Sequence, residues 1–253
     1  EDAILREAVA ARESVVLFDS SSLGKIDVQG PDAGEFLDRL YINNIRSLGI
    51  GRVRYGMMLD DNGTIVDDGV CKRLGEAHYL VNTSSAGALD VAFAMERWLQ
   101  TEWRELDVTV TPQTSHWATI AVSGPHSRRL LERLELPCQL AADDFPHMRV
   151  LETTLQGQPL RVARVSFTGE LCFELDIESG YADALWRRLL TLGEDLAVQP
   201  LGMEALDTLR VEKGFLEVGV DTDSTTTPLD VGWASVIERK DRDFVGRRSL
   251  YRP

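Results

Sequence analysis

The segment Ile26-Asp-Val-Gln-Gly-Pro-Asp-Ala-Gly-Glu-Phe-Leu-Asp-Arg-Leu40 returns, altered but recognisable, as Ile120-Ala-Val-Ser-Gly-Pro-His-Ser-Arg-Arg-Leu-Leu-Glu-Arg-Leu134. Each copy reads as a strand, then Gly-Pro, then a helix. Pro31 and Pro125 suit a first helical turn, where the missing N–H has no intrahelical partner in any case. Phe36, Leu37 and Leu40 match Leu130, Leu131 and Leu134 at helical spacing. The separation between copies is far too long for a solenoid repeat. The pair therefore predicts an α+β fold of two related halves, each joining a strand and helix to antiparallel hairpins, in place of an alternating parallel sheet. The expected bounds are 1–110 for the first half, 111–200 for the second, and 201–253 for a helix, loop and strand that return to the core of a chain that reads as truncated.

Within the first half, Arg54-Tyr-Gly-Met-Met-Leu-Asp-Asp-Asn-Gly-Thr-Ile-Val-Asp-Asp-Gly-Val-Cys-Lys-Arg73 sets two strand-like runs around Asn62-Gly63. That dipeptide favours the φ > 0 conformations of a two-residue hairpin turn. Such a turn places Leu59 opposite Val66, Met57 opposite Asp68 and Tyr55 opposite Val70, and opposed residues share a face. Asp68 is then surrounded by Tyr55 and apolar side chains. Asp67 points the other way, beside Met58, Ile65 and two glycines, so the two carboxylates are not expected to act as a pair. One carboxylate on an aromatic-walled apolar surface is a candidate site, because desolvation raises its pKa and a bound cationic or N–H group lowers it.

Further along, Ser85 to Glu105 reads as a helix with Leu89, Ala92, Phe93, Trp98 and Leu99 near a 3.6 period, followed by a strand from Asp107 to Val110. Arg161 to Ile177 alternates around Thr168-Gly169 as a second hairpin, with Glu170, Cys172, Glu174 and Asp176 outward and Leu171, Phe173, Leu175 and Ile177 inward. That segment is open to two readings: an ordinary half-exposed strand, or one in which Phe167 and Glu174 form a second pair of stacking ring and acceptor, the combination that suits a flat heterocycle with N–H groups on its edge. Gly180 to Leu192 and Leu201 to Phe215 are further helices, Asp221 to Pro228 is a polar loop, and Gly232 to Glu238 is a short strand. Arg210 is open to two readings: a surface pair with Glu204, Asp207 or Glu212, or a donor fork aimed into a cavity.

Composition narrows the partners. A 253-residue chain with 43% hydrophobic residues can bury one large core or two smaller ones. With 41 acidic against 27 basic residues and a net charge of −14, it repels phosphate backbones and anionic membranes, so nucleic acid is not an expected partner. No apolar run approaches the ~20 residues of a membrane span and the start lacks a signal core, so a soluble cytoplasmic protein is the expectation. Cys71, Cys138 and Cys172 are odd in number and far apart, as buried thiols of a reducing compartment would be. His78, His116, His126 and His147 show no ligand-pair spacing, and no metal is expected. The dinucleotide and phosphate-loop glycine motifs are absent as well.

Taken in order, Phe18-Asp-Ser-Ser-Ser-Leu-Gly-Lys25, Gly30-Pro31, the Asp67-Asp68 hairpin, Gly124-Pro125, Phe167-Thr-Gly-Glu170 through Glu174, Leu209-Arg-Val-Glu-Lys-Gly214 and Asp243-Phe-Val-Gly-Arg247 resemble the folate-binding aminomethyltransferase family. That family includes the T-protein of glycine cleavage and the folate domains of sarcosine- and dimethylglycine-oxidising enzymes. The Glu212-Lys-Gly-Phe215 and Asp221-to-Pro228 stretches are most similar to the C-terminal region of heterotetrameric sarcosine oxidase α subunits. The resemblance implies a fold around a tetrahydrofolate pocket, normally followed by a small C-terminal β domain that this chain lacks. It implies Asp68 as the catalytic aspartate, with Tyr55, Leu23 and Asn82 lining the pocket, Glu174 on the pterin edge and Arg210 as a pocket arginine. Phe167 stands where the family often has Tyr, and Lys72 where an aromatic is frequent. The implied function is capture of a methylene-iminium from an N-methyl amine to give 5,10-methylenetetrahydrofolate. FAD or FMN and NAD are expected only in other domains or subunits, which would be its protein partners. Two alternatives remain: an aminomethyltransferase of the glycine cleavage system, or a non-catalytic folate-binding or scaffold domain.

Overall fold

A computed structural model describes residues 1–251. In chain order its elements are α1 (Asp2–Glu13), β1 (Val16–Asp19), β2 (Gly24–Gln29), α2 (Ala33–Leu40), β3 (Arg52–Leu59), β4 (Ile65–Gly75), β5 (His78–Thr83), α3 (Ala88–Thr101), β6 (Thr109–Pro112), β7 (Trp117–Ser123), α4 (Ser127–Glu132), β8 (Val150–Leu155), β9 (Gln158–Ala163), β10 (Cys172–Glu178), α5 (Ala182–Leu192), β11 (Gln199–Pro200), α6 (Met203–Lys213) and α7 (Ala234–Arg239). They form two compact units. One joins Glu1–Ser22 to Ser115–Leu216, and the other joins Leu23–Thr114 to the chain from Glu217 onward. Each unit is discontinuous in the chain, and the first 22 residues belong with the segment 115–216.

The unit holding residues 23–114 carries a five-stranded antiparallel sheet in the order β3-β4-β5-β2-β6. The other carries a six-stranded sheet, β11-β1-β7-β10-β9-β8, parallel only between β1 and β11. In each unit the duplicated segment buries the same three positions: Phe36, Leu37 and Leu40 of α2 on Ile26, Val28 and Val81, and Leu130 and Leu131 of α4 with Leu134 in the turn after it among Ile120, Val122, Phe173 and Leu175.

The Gly-Pro step is shared in detail but works differently from the expectation. The helices start at Ala33 and Ser127, so Pro31 and Pro125 lie in a turn before the helix, closed by Ala33 N donating to Gly30 O (3.1 Å) and Ser127 N to Gly124 O (3.0 Å). Proline at the second position of such a turn has its φ already set. The glycines before them have φ of +135° and +124°. A Cβ on Gly30 would lie 2.1 Å from Asp107 O, and one on Gly124 would lie 2.5 Å from Ser14 O.

In the β3–β4 hairpin, Tyr55 faces Val70 and Met57 faces Asp68, as read from the sequence. The tip does not follow the two-residue turn. Asp60 N donates to Thr64 O (3.0 Å) and Gly63 N to Asp60 O (3.1 Å), which makes a three-residue loop with Gly63 at φ +86°. Asp60 Oδ1 stabilises it by accepting from Asn62 N and Thr64 N, both 2.9 Å. Leu59 therefore faces Ile65 instead of Val66. Val66 is the extra residue of a bulge, and Ile65 N donates to Thr226 O (2.9 Å). The longer loop and the bulge cancel, which restores the register from Met58 onward.

Other expectations shift. Residues 234–239 are a helix, not the strand expected over Gly232 to Glu238; Val236 and Ile237 suggested a strand, but Lys240, just after them, has its Nζ bonded to Asp38 O, Tyr41 O (2.7 Å) and Asn43 O (2.9 Å), holding the segment against α2. On α3 the buried face is Val91, Ala92 and Met95, and Leu89 and Phe93 are exposed. The strand after it occupies Thr109–Pro112. On β10 the acids do not all face outward: Asp176 is 1% exposed. Thr119 Oγ1 donates to it (2.7 Å), and its cross-strand neighbour is the buried Arg161, whose Nε donates to Glu152 (3.0 Å).

Gly30→Ala and Gly124→Ala should each destabilise the protein by about 2–4 kcal/mol in urea unfolding, since each forces a left-handed φ on a side chain that also meets backbone. Gly157→Ala, with open space around it, should cost only its φ strain, about 1 kcal/mol.

Candidate functional site

Strand register assembles one face of the five-stranded sheet from sequence-distant residues. Tyr55, Val70, Asn82 and Lys25 form a row across β3, β4, β5 and β2, with Met57 and Asp68 in the next row. Tyr55 Oη donates to Asp68 Oδ2 at 2.6 Å. Burial raises the Asp68 pKa above the usual carboxylate range, the tyrosine hydrogen bond pulls it back, and the Glu217 charge pushes it up again. Burial and the neighbouring carboxylate likewise push the Tyr55 phenol far up, so it stays a donor. The face of the Tyr55 ring meets Trp233, centroids 5.0 Å apart at 36°.

Asn82 closes the row. Its Nδ2 donates to Gly24 O (3.1 Å), and its Oδ1 is buried with no hydrogen-bond donor. Leu23, half-buried just before β2, accepts the Lys25 ammonium on its carbonyl (2.9 Å). Lys72 is fully buried on the Asp68 face of β4.

Asp67 points to the opposite face, as expected, yet it is not an ordinary core-facing acid. It is 2% exposed, its Oδ1 accepts from Ser84 Oγ (2.5 Å), and that hydroxyl accepts from Gly87 N (3.0 Å) at the start of α3. A Cβ on Gly87 would come within 2.4 Å of Asp67 Oδ1, so the glycine makes room for the carboxylate. Burial pushes the Asp67 pKa up to about 7, with the Ser84 bond opposing and Asp68 adding to the rise.

The remaining expected residues lie in the other unit. Glu174 is half-buried on β10. Phe167, 39% exposed, sits in the 164–171 connection. That connection is fastened by hydroxyls: Thr168 Oγ1 to Ser123 Oγ (2.6 Å), Gly169 N to Ser166 Oγ (2.9 Å) and Glu170 N to Thr168 Oγ1 (3.2 Å). Arg210 is 3% exposed on α6. Its Nε reaches Asp207 (3.3 Å), which realises one of the sequence-based pairings, and its Nη1 donates to Phe215 O (3.2 Å). The expected site residues therefore form two sets: Leu23, Tyr55, Asp68 and Asn82 in one unit, and Phe167, Glu174 and Arg210 in the other.

Trp233 and the Asp67–Ser84 clamp were not identified from sequence. Trp233 lay in a segment assigned to a strand, which hid that it caps a helix. The hairpin alternation shows only that Asp67 faces away from Asp68, and its partner Ser84 comes from the turn after β5. Among the described residues no group of His, Cys, Asp and Glu side chains could hold a metal ion, and no helix is long and apolar enough to cross a membrane.

Residues 1–241 match the model of the GCVT N-terminal domain. The sarcosine oxidase subunit alpha of Corynebacterium sp. (strain U-96) is 44% identical over the whole chain, which spans 26% of that relative's length. The aminomethyltransferase of Halothermothrix orenii is 33% identical over 98% of the chain and 67% of its own length. Among solved structures, the glycine cleavage system aminomethyltransferase T of Bartonella henselae superposes with a TM-score of 0.86 at 27% identity, covering 98% of this chain and 65% of that one.

A folded-state pKa raised from 3.8 to about 7 at Asp67 means that the folded protein keeps a proton the unfolded chain has lost, so this group's contribution is full at acid pH and disappears as pH rises through that window. Asp67→Asn should remove that loss: urea unfolding of the variant, compared with wild type between pH 4 and 8, should diverge by up to about 4 kcal/mol in favour of the variant as pH rises. Tyr55→Phe should move the Asp68 carboxyl titration upward, read by carbon-13 NMR of labelled aspartate, since it deletes the bond that favours the charged form.

Proposed function

The chain belongs to the GCVT N-terminal domain family, and on that premise we propose that it is a tetrahydrofolate-binding one-carbon transfer domain of a sarcosine oxidase-type enzyme. The Tyr55–Asp68 pair carries this reading, because a half-buried carboxylate with a raised pKa beside a fixed phenol donor is equipped to accept and return a proton. The surroundings suit a reduced pterin. Its edge is rich in N–H donors, and the buried Asn82 Oδ1 lacks one, while the Tyr55 ring backed by Trp233 supplies aromatic surface.

Bound tetrahydrofolate would supply two nucleophilic nitrogens that bond to the one-carbon unit in turn while its bond to the donor amine breaks, giving 5,10-methylenetetrahydrofolate and the demethylated amine, glycine where the donor is sarcosine. Asp68 then has two tasks. It takes the proton that the attacking amine gives up, and as a carboxylate it stabilises the cationic methylene-iminium that carries the carbon. Tyr55 holds Asp68 in one orientation and limits how far burial raises its pKa. The apolar wall of Met57 and Val70 on the same face reduces access of water, which would hydrolyse the iminium to formaldehyde. The iminium itself would arise at a flavin held by other subunits or domains, the partners of this chain. The greater identity to the sarcosine oxidase subunit than to the aminomethyltransferases supports this source over an aminomethyl-lipoyl carrier.

In the complete enzyme, Asp68→Asn should lower methylenetetrahydrofolate formation by about 100-fold or more while formaldehyde release persists; an unchanged folate product would remove Asp68 from the chemistry. In calorimetric titration of the chain with tetrahydrofolate, Asn82→Ala should weaken binding by about tenfold. Ammonia release from an aminomethylated carrier protein, with no product from an N-methyl amine, would shift the assignment to glycine cleavage.

A further inference from the structure

The six-stranded unit gathers three arginines that no carboxylate pairs with. Arg149, just before β8, lies opposite Arg164, just after β9: Arg164 N donates to Arg149 O (2.8 Å), and Met148 N donates to Arg164 O (2.9 Å). Met148 and Arg149 thus face a single residue, which makes a bulge, and Met148 has a φ of +61°, a left-handed conformation that costs a non-glycine residue energy. By strand alternation Arg164 shares the face of Leu160 and Val162, which lie in the core with the leucines of α4 and α5. Arg128 enters from α4, its guanidinium 5.1 Å from the centre of the Phe173 ring in that same core. Arg164 is fixed beside it, because its Nη1 donates to Phe145 O (2.9 Å) and the Phe145 ring stacks on Phe173 with centroids 6.2 Å apart.

Like charges directly opposite each other on neighbouring strands destabilise a sheet. Among the described residues none of the three makes an ion pair, in a chain that carries 41 acidic side chains. Arg128 Nη1 and Arg149 Nε are buried without any hydrogen-bond acceptor, which costs stability at each. Burial, and after it the charge of Arg164, pulls the Arg128 pKa below its ordinary value; Glu132, one turn further along α4, opposes that shift. All three residues are half-buried, so a small ion reaches them from solvent. We propose that Arg128, Arg149 and Arg164 form a binding site for a small phosphate-type dianion. The planar donor forks of arginine match the oxygen edges of such an ion. A monocarboxylate brings one charge and two oxygens, which a single arginine satisfies, whereas three guanidiniums suit a doubly charged group with more acceptors. The net charge of −14 repels extended polyanions, which leaves free phosphate or the phosphate monoester of a soluble metabolite as the source. The site stands independently of the folate reading.

Calorimetric titration of the 253-residue chain with inorganic phosphate and with glycerol phosphate, at ionic strength matched with sodium chloride, tests the proposal. One ion should bind per chain, the tighter of the two identifying the source, and Arg128→Gln and Arg149→Gln should each weaken binding by about tenfold or more. In phosphate-free buffer both variants should unfold at the wild-type temperature or above it, since each relieves repulsion inside the cluster; a purely structural arginine would lower it. Phosphate at about 10 mM should raise the Tm of the wild type and leave that of the Arg128→Gln, Arg149→Gln double variant unmoved, which separates a site from the general stabilising effect of the salt. Absence of saturable binding by the wild type, undiminished binding by the variants, or lowered stability of both variants without phosphate would each overturn the proposal. Succinate binding as tightly as phosphate would overturn the assignment of ligand class.

Discussion

The candidate chemistry depends on strand parity in a single hairpin. A β-strand turns successive side chains to opposite faces, so a slip of one residue in β4 would exchange Asp68 and Asp67. The first would lose Tyr55 and the second would lose Ser84. Two irregularities hold the parity in place: the Asp60-centred three-residue loop and the Val66 bulge, each one residue out of step and opposite in effect. Asp60 is suited to this, because its carboxylate binds the loop amides strongly enough to lie below its ordinary pKa although burial opposes it.

The same hairpin shows how much of the site the sequence could reveal and where it could not. Facing pairs from Tyr55–Val70 to Met57–Asp68 were legible because apolar alternation and a turn signal constrain a local ribbon. The tip was misread because Asn62-Gly63 is a strong two-residue signal, and only the acceptor geometry of Asp60 shows that a longer loop forms. The duplicated Gly-Pro segments were legible for a similar reason: a helix that must bury Phe36, Leu37 and Leu40 announces its face. Residues 232–238 were not, because a β-branched pair in a six-residue helix has the local appearance of a strand, and the contacts that decide the matter come from α2. The buried settings of Asp176, expected to face outward, and of Asp67, expected only to face away from Asp68, share one reason for not being legible. Their partners, Thr119 on β7 and Ser84 just after β5, are brought alongside only by folding.

Electrostatics add a second pattern. The chain carries a net charge of −14, yet Asp67, Asp68 and Asp176 are taken largely out of water. Asp176 accepts from the Thr119 hydroxyl on the neighbouring strand. Asp67 and Asp68 have hydroxyl donors but no cation among their strongest influences, and both have raised proton affinity. Carboxyls of that kind are costly to keep ionised inside a protein, and they are retained where a proton must be gained and lost.

The interleaving of the two units along the chain bears on biogenesis. The sheet that contains Tyr55 and Asp68 is translated early, but Trp233, which lies against Tyr55, and Lys240, whose ammonium gathers carbonyls of Asp38 in α2 and of Tyr41 and Asn43 just after it, emerge only after all of residues 115–216. On the ribosome the Asp68 face therefore waits, partly uncovered, while the other unit is made. The region nearest the proposed chemistry thus needs residues from both sides of the 115–216 segment before its cover is complete.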